Sequence, residues 1–515
     1  MHQSLIDYLR ASVERAPDAE ALIQGERRVT YAQLWCEVSP VARFLGRNGL
    51  GRGDRVALLL ENSPEYVAAY YGVLAAGGIV VALNTAARAR DLSNWLAHCG
   101  ATWLIADTRH GELLQVAQHA DPQLRLITVG DDRDIGRPFV RWNEVAQSGD
   151  EHDYVPEITA DATAAIIYTS GTTGKPKGVT LTHGNLAGNV RSILAYLQLG
   201  ARDRCLNVLP FYYSYGNSVL HTHLAAGGSL VLENSLVYVH NVVQRIGAER
   251  ATGFAGVPST YALLSSRVNL ADYDLSSLRY VTQAGGAMAP AQIQKFRQAL
   301  PHVKFFVMYG LTEATARLTY LPPERLEQKL GSVGVAIPDV RLEIRDERGA
   351  AVARGVVGEI YAIGPNIMRS YWNDAAATGE VLKDGWLKTG DLASMDQDGY
   401  VFIQGRSSEM IKSGAHRISP QDIEEVIAEL DGVAEVAVVG VADDILGQAI
   451  KAVIVPRADV ALGVMAVKAH CHARLAAYKI PRYIEFATQI PKTASGKIQR
   501  YLLVNNIQGE QRSNA

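Results

Sequence analysis

Residues 168–178 read YTSGTTGKPKG and combine hydroxyl side chains, glycines and lysines in one short stretch. The apolar run AAIIY (164–168) before it predicts a buried strand, so the stretch forms a loop directly after a strand. Glycines allow the sharp turn that points several N–H groups at one anion, and the hydroxyls and lysines add further donors. A polyphosphate is the natural ligand of such a loop, although a plain surface loop can share its composition. The candidate phosphate-binding residues are Thr169, Ser170, Gly171, Thr172, Thr173 and Lys177, with Lys175 as an additional cation.

This loop differs from the Walker A phosphate loop, which needs Gly-Lys followed by Ser or Thr at the start of a helix. Here Gly-Lys is followed by Pro176, which cannot supply the hydroxyl. The phosphate site is therefore of another type.

The elements that position this loop alternate between strand-like runs and helical patterns. Buried strands are predicted at 56–60, 103–107, 124–130, 164–170, 229–233 and 304–310, and helices at 65–77 and 291–300. Such alternation is typical of α/β layers with largely parallel sheets. After about residue 340 short strands separated by turns predict a β-rich subdomain, and a compact α+β unit follows Gly405. We predict an α/β fold with a large N-terminal domain over 1–405 and a small C-terminal domain over 406–515.

Length, charge and cysteine usage limit the classes of protein that fit. The 515 residues exceed what one hydrophobic core usually serves, so at least two domains are expected. A formal net charge of -3 at pH 7 favours neither nucleic acid nor an anionic membrane as a partner. The four cysteines are far apart, which argues against a zinc site or disulfide framework and suits a cytoplasmic protein. No signal peptide is expected, because the N-terminal stretch lacks a basic region followed by an apolar region, and no membrane span is expected, because a glycine pair interrupts the longest apolar run, 66–84.

The stretch YTSGTTGKPKGV resembles the phosphate-binding signature of the adenylate-forming superfamily, which includes acyl-CoA synthetases, peptide-synthetase adenylation domains and beetle luciferases. Further stretches that resemble the family's motifs follow in the family's order over nearly the whole chain. They are QAGGA (283–287), MYGLTEAT (308–315), GSVGVAIP (331–338), LKTGDLASMDQDGYVFIQGR (387–406) and PKTASGKIQR (491–500).

The resemblance implies a reaction in two halves. A carboxylate attacks the α-phosphate of ATP to give an acyl-adenylate and pyrophosphate, and a thiol then displaces AMP. Both steps place negative charge on small oxygens, so positioning and electrostatic stabilisation dominate the catalysis. The implied cofactors are ATP, Mg²⁺ and coenzyme A, or the phosphopantetheine of a carrier protein in place of coenzyme A.

The family's roles carry over to matching positions in YGLTE and QAGGA. Tyr309 would lie against the adenine face, Thr312 would bind the α-phosphate, and Glu313 would bind the magnesium ion, for which a carboxylate is a suitable ligand. The small residues of the nucleotide pocket are Gly285, Gly286, Ala287 and Gly310.

Three more residues complete the implied nucleotide site. Asp391 would accept from both ribose hydroxyls, and Arg406 would donate to the ribose or the phosphate. Lys497 would bridge the acyl carboxylate and the α-phosphate and so neutralise charge in the transition state. Without the resemblance, Asp391 and Arg406 would be interpreted as a surface ion pair, and Lys497 as a solvated charge.

The stretch LPFYYSYGNS (209–218) corresponds to the segment that lines the family's acyl pocket. Tyr213 stands where many acyl-CoA synthetases carry His and amino-acid-activating domains commonly carry Asp, which argues against an α-amino acid. Bulky walls favour a small, aromatic or short-chain acid, although these tyrosines could equally pack under the loop. Arg317 could bind a second carboxylate of the acid, but a structural ion pair is the more frequent role. The candidate substrate-binding residues are Tyr212, Tyr213, Asn217, Ser218, Met308 and Arg317.

In this family the C-terminal unit rotates between the two half-reactions. The hinge position is Ser408, where the family usually has Asp or Lys. Ala415 stands where a Gly is usual in the loop that meets the pantetheine arm, and Gly414 precedes it. These departures make the acceptor thiol less certain than the adenylation.

The sequence therefore predicts an AMP-forming ligase that transfers a small-molecule carboxylic acid to coenzyme A. The alternative is a stand-alone adenylation enzyme that loads a separate carrier protein. A scaffold protein without activity is disfavoured by the intact motif residues, and nothing in the chain supports luciferase-like oxygenation. The residues leave the identity of the acid and the oligomeric state open.

Overall fold

The computed structural model describes residues 4–131, 139–147, 157–169, 177–406, 409–413, 416–443, 446–457, 460, 462–492 and 498–504. The helices are α1 (Leu5–Arg15), α2 (Tyr31–Arg47), α3 (Pro64–Ala75), α4 (Ala89–Cys99), α5 (Gly111–Ala120), α6 (Trp142–Ala146), α7 (His183–Leu197), α8 (Ser214–Ala226), α9 (Val239–Ala248), α10 (Pro258–Arg267), α11 (Pro290–Ala299), α12 (Ala375–Val381), α13 (Pro420–Ala428), α14 (Val464–Arg474) and α15 (Arg500–Val504).

The strands of the two large sheets and of the smaller sheets follow in chain order. They are β1 (Glu20–Gln24), β2 (Arg27–Thr30), β3 (Arg55–Leu59), β4 (Ile79–Ala82), β5 (Trp103–Asp107), β6 (Arg125–Val129), β7 (Val140–Arg141), β8 (Thr163–Thr169), β9 (Lys177–Thr182), β10 (Arg204–Asn207), β11 (Ser229–Leu232), β12 (Gly253–Gly256), β13 (Tyr280–Gln283), β14 (Lys304–Tyr309), β15 (Thr319–Leu321), β16 (Val335–Ala336), β17 (Arg341–Arg345), β18 (Gly358–Ile363), β19 (Ser370–Tyr371), β20 (Leu382–Lys383), β21 (Trp386–Met395), β22 (Val401–Arg406), β23 (Ile411–Ser413), β24 (His416–Ile418), β25 (Val433–Asp443), β26 (Gly447–Pro456) and β27 (Tyr483–Phe486).

Two large sheets form the N-terminal part of the molecule. One has the strand order β16-β15-β14-β13-β12-β10-β11-β1-β2, and the other has the order β19-β9-β8-β4-β3-β5-β6-β7. The interior strands of each sheet run parallel, and the antiparallel pairs lie toward the ends, at β1–β2, β14–β15–β16 and β8–β9–β19. This architecture confirms the predicted α/β layers, and the predicted strands lie within a residue or two of their observed positions.

The buried helices α3 and α8 join the two sheets in one hydrophobic core. The sequence of α3, PEYVAAYYGVLA, is apolar on all sides, which is typical of a helix surrounded by protein. Its residue Tyr70 belongs to the same cluster of buried side chains as Leu58 of β3 and Leu230 of β11, which lie in different sheets. The α8 backbone is buried along most of its length and packs against α1 and α7.

A β-rich subdomain and a separate α+β unit follow. Strands β17, β18, β20, β21 and β22 form a small antiparallel sheet. Strands β23 to β27 form another sheet, and α13 packs on β25. This α+β unit has hydrophobic clusters of its own. Within the described ranges, no helix has the length and apolar character needed to cross a membrane. The four cysteines are free thiols.

Candidate active site

The predicted phosphate loop lies between two antiparallel strands, β8 and β9. Thr169 ends β8 and Lys177 begins β9, and the two residues are paired in the register of the hairpin. The Thr169 hydroxyl donates to the Lys177 carbonyl over 3.5 Å. The other residues predicted for this loop lie outside the described residues; they are Ser170, Gly171, Thr172, Thr173 and Lys175.

A chain of contacts joins Lys177 to Glu313. The Lys177 ammonium lies 5.0 Å from the centre of the Tyr371 ring, and the Tyr371 hydroxyl donates to Oε1 of Glu313 over 2.7 Å. Burial and the neighbouring Glu313 carboxylate raise the pKa of Tyr371, so the phenol stays protonated and keeps donating. Tyr371 was not predicted from the sequence, because a lone tyrosine on the two-residue strand β19 carries no recognisable pattern.

The loop after β14 holds Thr312 and Glu313 in a short 3₁₀ turn, Thr312–Ala314. Thr315 and Ala316 follow with φ of 53° and 87°, a left-handed conformation that non-glycine residues rarely adopt. The buried amide of Asn366 stabilises it by donating to the carbonyls of Ala314 (3.1 Å) and Arg317 (2.6 Å). The Asn366 carbonyl in turn accepts from the Thr315 hydroxyl over 2.6 Å. Local strain is thus offset by tertiary contacts, which no sequence pattern reveals.

Two glycines of the predicted nucleotide pocket are required by geometry. A Cβ on Gly310 would lie 2.1 Å from the Ala316 carbonyl oxygen, so the turn closes only around a residue without a side chain. Gly285 has φ +89°, a conformation that favours glycine. Gly286 accepts a 2.8 Å hydrogen bond from the Gln283 amide, which holds this segment at the carboxyl end of β13.

The Thr312 hydroxyl links the loop to α8. It lies 3.2 Å from the Ser214 hydroxyl, at the first residue of that helix. The α-phosphate position predicted for Thr312 therefore adjoins the helix that carries the predicted acyl-pocket residues.

Asp391 lies between Tyr309 and Arg406. Oδ2 of Asp391 accepts from the Tyr309 hydroxyl over 2.5 Å, and Oδ1 accepts from Nε of Arg406 over 3.0 Å. Burial and the Asp391 carboxylate raise the pKa of Tyr309, and the same carboxylate raises the pKa of Arg406. The residues predicted for adenine, ribose and phosphate are thus in direct contact, with Asp391 on β21 paired to Arg406 on β22.

The predicted acyl-pocket residues divide into three groups. Tyr212 and Tyr213 lie together, with ring centres 4.6 Å apart, and the Tyr213 hydroxyl accepts from the Asn84 amide over 3.4 Å. Ser218, Met308 and Arg317 meet elsewhere, around Tyr196.

In the second group Arg317 is the central side chain. Its Nε donates to the Tyr196 hydroxyl (3.0 Å) and Nη2 donates to the Ser218 hydroxyl (3.4 Å). The Tyr196 hydroxyl also lies 3.2 Å from the Met308 sulfur. The guanidinium carbon is 5.0 Å from the centre of the Tyr215 ring. A structural ion pair was the more frequent expectation for Arg317, but no described carboxylate contacts it.

Asn217 belongs to a buried polar network that the sequence did not reveal. Its Oδ1 lies 2.9 Å from Nε2 of His221 and accepts from the Tyr70 hydroxyl over 3.4 Å. Nδ1 of His221 lies 2.9 Å from the Tyr71 hydroxyl. Burial lowers the pKa of His221 to about 3, so the imidazole is neutral at physiological pH.

Three residues predicted for the C-terminal unit lie outside the described residues, namely Lys497, Ser408 and Ala415. The chain on both sides of Lys497 is held on that unit. Lys492 and Ile498 form a β-bridge, and Arg500 makes two charged hydrogen bonds to Glu424.

The donor set around Glu313 fits a magnesium–nucleotide complex better than a metal site made by protein alone. Mg²⁺ is usually bound by one or two carboxylates together with substrate phosphates. Among the residues that the structure describes, no group of three or more His, Cys, Asp or Glu side chains could hold a metal ion. Glu313 would therefore supply one ligand, and phosphate oxygens and water would complete the shell.

Comparison with known proteins supports the family resemblance that the sequence motifs indicate. Residues 9–372 match the family model described as AMP-binding enzyme, and residues 422–497 match the AMP-binding enzyme C-terminal domain. The chain is 34% identical to the indoleacetate–CoA ligase of Aromatoleum aromaticum, over 94% of each chain. It is 31% identical to the long-chain-fatty-acid–CoA ligase of Bacillus subtilis, over 98% of this chain and 94% of the relative.

Solved structures agree over the whole length. The anthranilate CoA ligase AuaEII in complex with anthranoyl-AMP has a TM-score of 0.90 and 27% identity, with 97% of this chain and 96% of that chain covered. ATP-bound MatB from Rhodopseudomonas palustris has a TM-score of 0.90 and 28% identity, with 98% of each chain covered. The chain belongs to the AMP-binding enzyme family, and its relatives are acid–CoA ligases.

Proposed function

We propose that the protein activates a small carboxylic acid with ATP and transfers the acyl group to coenzyme A. The observation that carries this proposal is the contact of Asp391 with both Tyr309 and Arg406, next to the turn with Thr312 and Glu313. Together these residues would contact the adenine, the ribose and the α-phosphate of an acyl-adenylate.

In the first half-reaction an oxygen of the acid attacks the α-phosphorus, and the bond from that phosphorus to the bridging oxygen of pyrophosphate breaks. Thr312 donates to the α-phosphate, and Lys497 neutralises the charge shared by the carboxylate and the phosphate. Glu313 would hold a magnesium ion, which would neutralise charge on the phosphates when bound. Tyr371 keeps the Glu313 carboxylate in place through its 2.7 Å hydrogen bond.

In the second half-reaction the sulfur of a thiol attacks the acyl carbonyl, the bond to the AMP oxygen breaks, and the thiol proton leaves to solvent. Coenzyme A is supported as the acceptor by the relatives, which are named CoA ligases. The C-terminal domain, over 406–515, would rotate about Ser408 between the two steps. A carrier-protein phosphopantetheine is the second candidate, because Ser408 and Ala415 depart from the family pattern.

Two further parts of the proposal are that the acid is small and that the protein is cytoplasmic. The bulky rings of Tyr212 and Tyr213, whose centres lie 4.6 Å apart, support a small acid if these residues line the acyl pocket. The four free cysteines suit a reducing compartment.

The test is ATP–pyrophosphate exchange with a panel of short, aromatic, dicarboxylic, fatty and amino acids. Each acid that supports exchange is then incubated with coenzyme A, and the acyl-thioester is measured. Efficient acyl-CoA formation would establish the proposal. Exchange without transfer to coenzyme A would favour the carrier protein, and no exchange with any acid would contradict the proposal.

A further inference from the structure

Arg317 is a buried cation whose partners are all neutral. Only 2% of its surface is exposed. Its hydrogen bonds go to the hydroxyls of Tyr196 and Ser218 and to the Ala316 carbonyl, the last two at 3.4 Å. No carboxylate of the described chain is within ion-pair distance. Because a buried charge without a counter-charge is unfavourable, a guanidinium in this position calls for an anion that the polypeptide does not supply.

The guanidinium also retains unused donors. An arginine has five N–H groups in a planar fork, and the contacts of Arg317 use three of them. Both terminal nitrogens keep a free N–H, which is the pair that binds a carboxylate in two-point fashion.

A second buried donor without a partner lies on α8, one residue before Ser218. Asn217 precedes Ser218 on α8, and its Oδ1 is engaged by His221 and Tyr70. With the proton of the neutral His221 assigned to Nε2, Nδ1 accepts from Tyr71 and Nε2 donates to Oδ1 of Asn217. The buried Nδ2 of Asn217 is left without an acceptor. An asparagine donor on α8 and an arginine that contacts the next residue of this helix thus both lack an acceptor for some of their N–H groups among the described residues.

The position of these donors relates them to the reacting group. Asn217, Ser218 and Ser214 line the same small cavity, and the Ser214 hydroxyl lies 3.2 Å from that of Thr312. Ser218 lines this cavity and also accepts a hydrogen bond from Arg317, so the guanidinium contacts one of the cavity's lining residues. Lining side chains must shift to admit more than a water-sized group, since the cavity has a volume of about 10 Å³.

We propose that the acid carries a second anionic group, most simply a carboxylate, which Arg317 binds with the Asn217 amide as a further donor, while Ser218 holds the guanidinium by accepting its hydrogen bond. This inference rests on the proposed adenylation, and it assigns Arg317 as a specificity-determining residue. A monocarboxylic acid of the same length would leave the guanidinium and the Asn217 amide unsatisfied. Sites built around a polar partner discriminate strongly against analogues that lack it.

The test is ATP–pyrophosphate exchange with pairs of acids that differ only in the second carboxylate, such as butanoate with succinate and benzoate with terephthalate. The wild-type enzyme should prefer the dicarboxylic acid in at least one pair, by about 10-fold or more in kcat/KM. In Arg317→Gln, kcat/KM for that dicarboxylic acid should fall by about 100-fold, mainly through KM, while the monocarboxylic acid changes by less than about 3-fold. Arg317→Lys keeps the charge without the fork and should show an intermediate preference.

Two controls separate specificity from folding. Arg191→Gln removes an arginine that is paired with Asp339 on the surface, and it should leave the preference unchanged. Thermal unfolding with ATP and each acid gives a second measure, because the dicarboxylic acid should raise the melting temperature of the wild type and not of Arg317→Gln. If Arg317→Gln does not fold, the preference between the paired acids in the wild type and in Arg317→Lys still tests the inference.

The outcomes are distinct. A wild-type preference for the monocarboxylic acid in every pair, with exchange otherwise intact, would overturn this inference and leave the proposed function standing. An equal fall in kcat/KM for the dicarboxylic and the monocarboxylic acid in a folded Arg317→Gln would also overturn this inference. If none of the acids supported exchange, the proposed function would be contradicted, and this inference would be contradicted as well.

Discussion

Tyr309 donates its phenol hydrogen to Oδ2 of Asp391 over 2.5 Å, so a residue predicted for the adenine is bonded to the residue predicted for the ribose. The opposite oxygen of Asp391 accepts from Arg406. A ribose hydroxyl that binds Oδ2 of Asp391 therefore shares that oxygen with Tyr309, and the two donors compete for its charge without one having to displace the other.

The first prediction tests this competition with Tyr309→Phe, which keeps the aromatic ring and removes the hydroxyl. Without nucleotide, the variant should be less stable than the wild type by about 1–3 kcal/mol, because a nearly buried carboxylate oxygen loses its donor. Bound ATP or AMP restores a donor, so each should raise the melting temperature of the variant more than that of the wild type. A smaller rise in Tyr309→Phe would show that the hydroxyl assists nucleotide binding instead.

The second prediction concerns the charge of Glu313. Glu313→Gln should lower the rate of pyrophosphate exchange by about 10²–10³-fold and raise the Mg²⁺ concentration needed for half-maximal rate, since a neutral amide is a weaker magnesium ligand. The matched control is Tyr371→Phe, which removes only the hydrogen bond to Glu313 and should have a much smaller effect. An unchanged Mg²⁺ dependence in Glu313→Gln would remove Glu313 from the metal site.

The third prediction concerns the tight turn at Gly310. A Cβ at this position would lie 2.1 Å from the Ala316 carbonyl oxygen, so Gly310→Ala must displace the backbone that carries Thr312 and Glu313. We expect a loss of stability of about 1–3 kcal/mol or more together with a large loss of exchange activity. Gly379→Ala is the control, because a Cβ there meets no atom within 4 Å and α12 continues through it. Equal behaviour of the two variants would contradict the close approach.

How far the sequence predicts this molecule can be judged from particular elements. The buried strands β8 and β14 were predicted almost to the residue, because each is a short apolar run that ends in a polar, glycine-containing loop. Tyr309, Thr312 and Asp391 were predicted as site residues because each lies in a short motif that is contiguous in the chain, and the structure places Tyr309 in contact with Asp391.

The contacts that complete the site were not predictable in this way. Tyr371 reaches Glu313 across 58 positions, and Asn366 reaches the Thr315 hydroxyl across 51 positions. Tertiary packing alone creates these pairs, and neither residue belongs to a periodic pattern or a motif with a local mechanism. The division of the pocket residues, with Tyr213 near Asn84 and Arg317 near Tyr196, likewise depends on how α7 and α8 pack.

The fourth prediction is a pH dependence of stability. The pKa of His221 is lowered to about 3 in the folded protein, against about 6.5 for an exposed histidine. Between these values the unfolded chain binds a proton that the folded chain does not, so stability is lost as pH falls below about 6.5. His221 alone should cost about 1.4 kcal/mol per pH unit in this range.

His221→Gln should therefore show a smaller drop in melting temperature between pH 7.5 and pH 5.5 than the wild type. His119→Gln, which changes an exposed histidine, should keep the wild-type dependence on pH. An identical drop in His221→Gln and the wild type would show that the His221 imidazole is charged in the folded protein. His183, whose pKa burial lowers to about 4, contributes in the same direction and remains in both proteins.

The most direct test of the whole account is acid-dependent ATP–pyrophosphate exchange by the wild type beside Lys497→Ala. With an acid that supports exchange, Lys497→Ala should lower the rate by at least about 10²-fold, while hydrolysis or thiol transfer of a supplied acyl-adenylate stays close to wild type. Lys468→Ala, on α14 of the same unit, is the matched control and should keep full exchange. Retained exchange in Lys497→Ala would contradict the assignment of this lysine. If no acid in the panel supported exchange by the wild type, adenylation as the function would be contradicted.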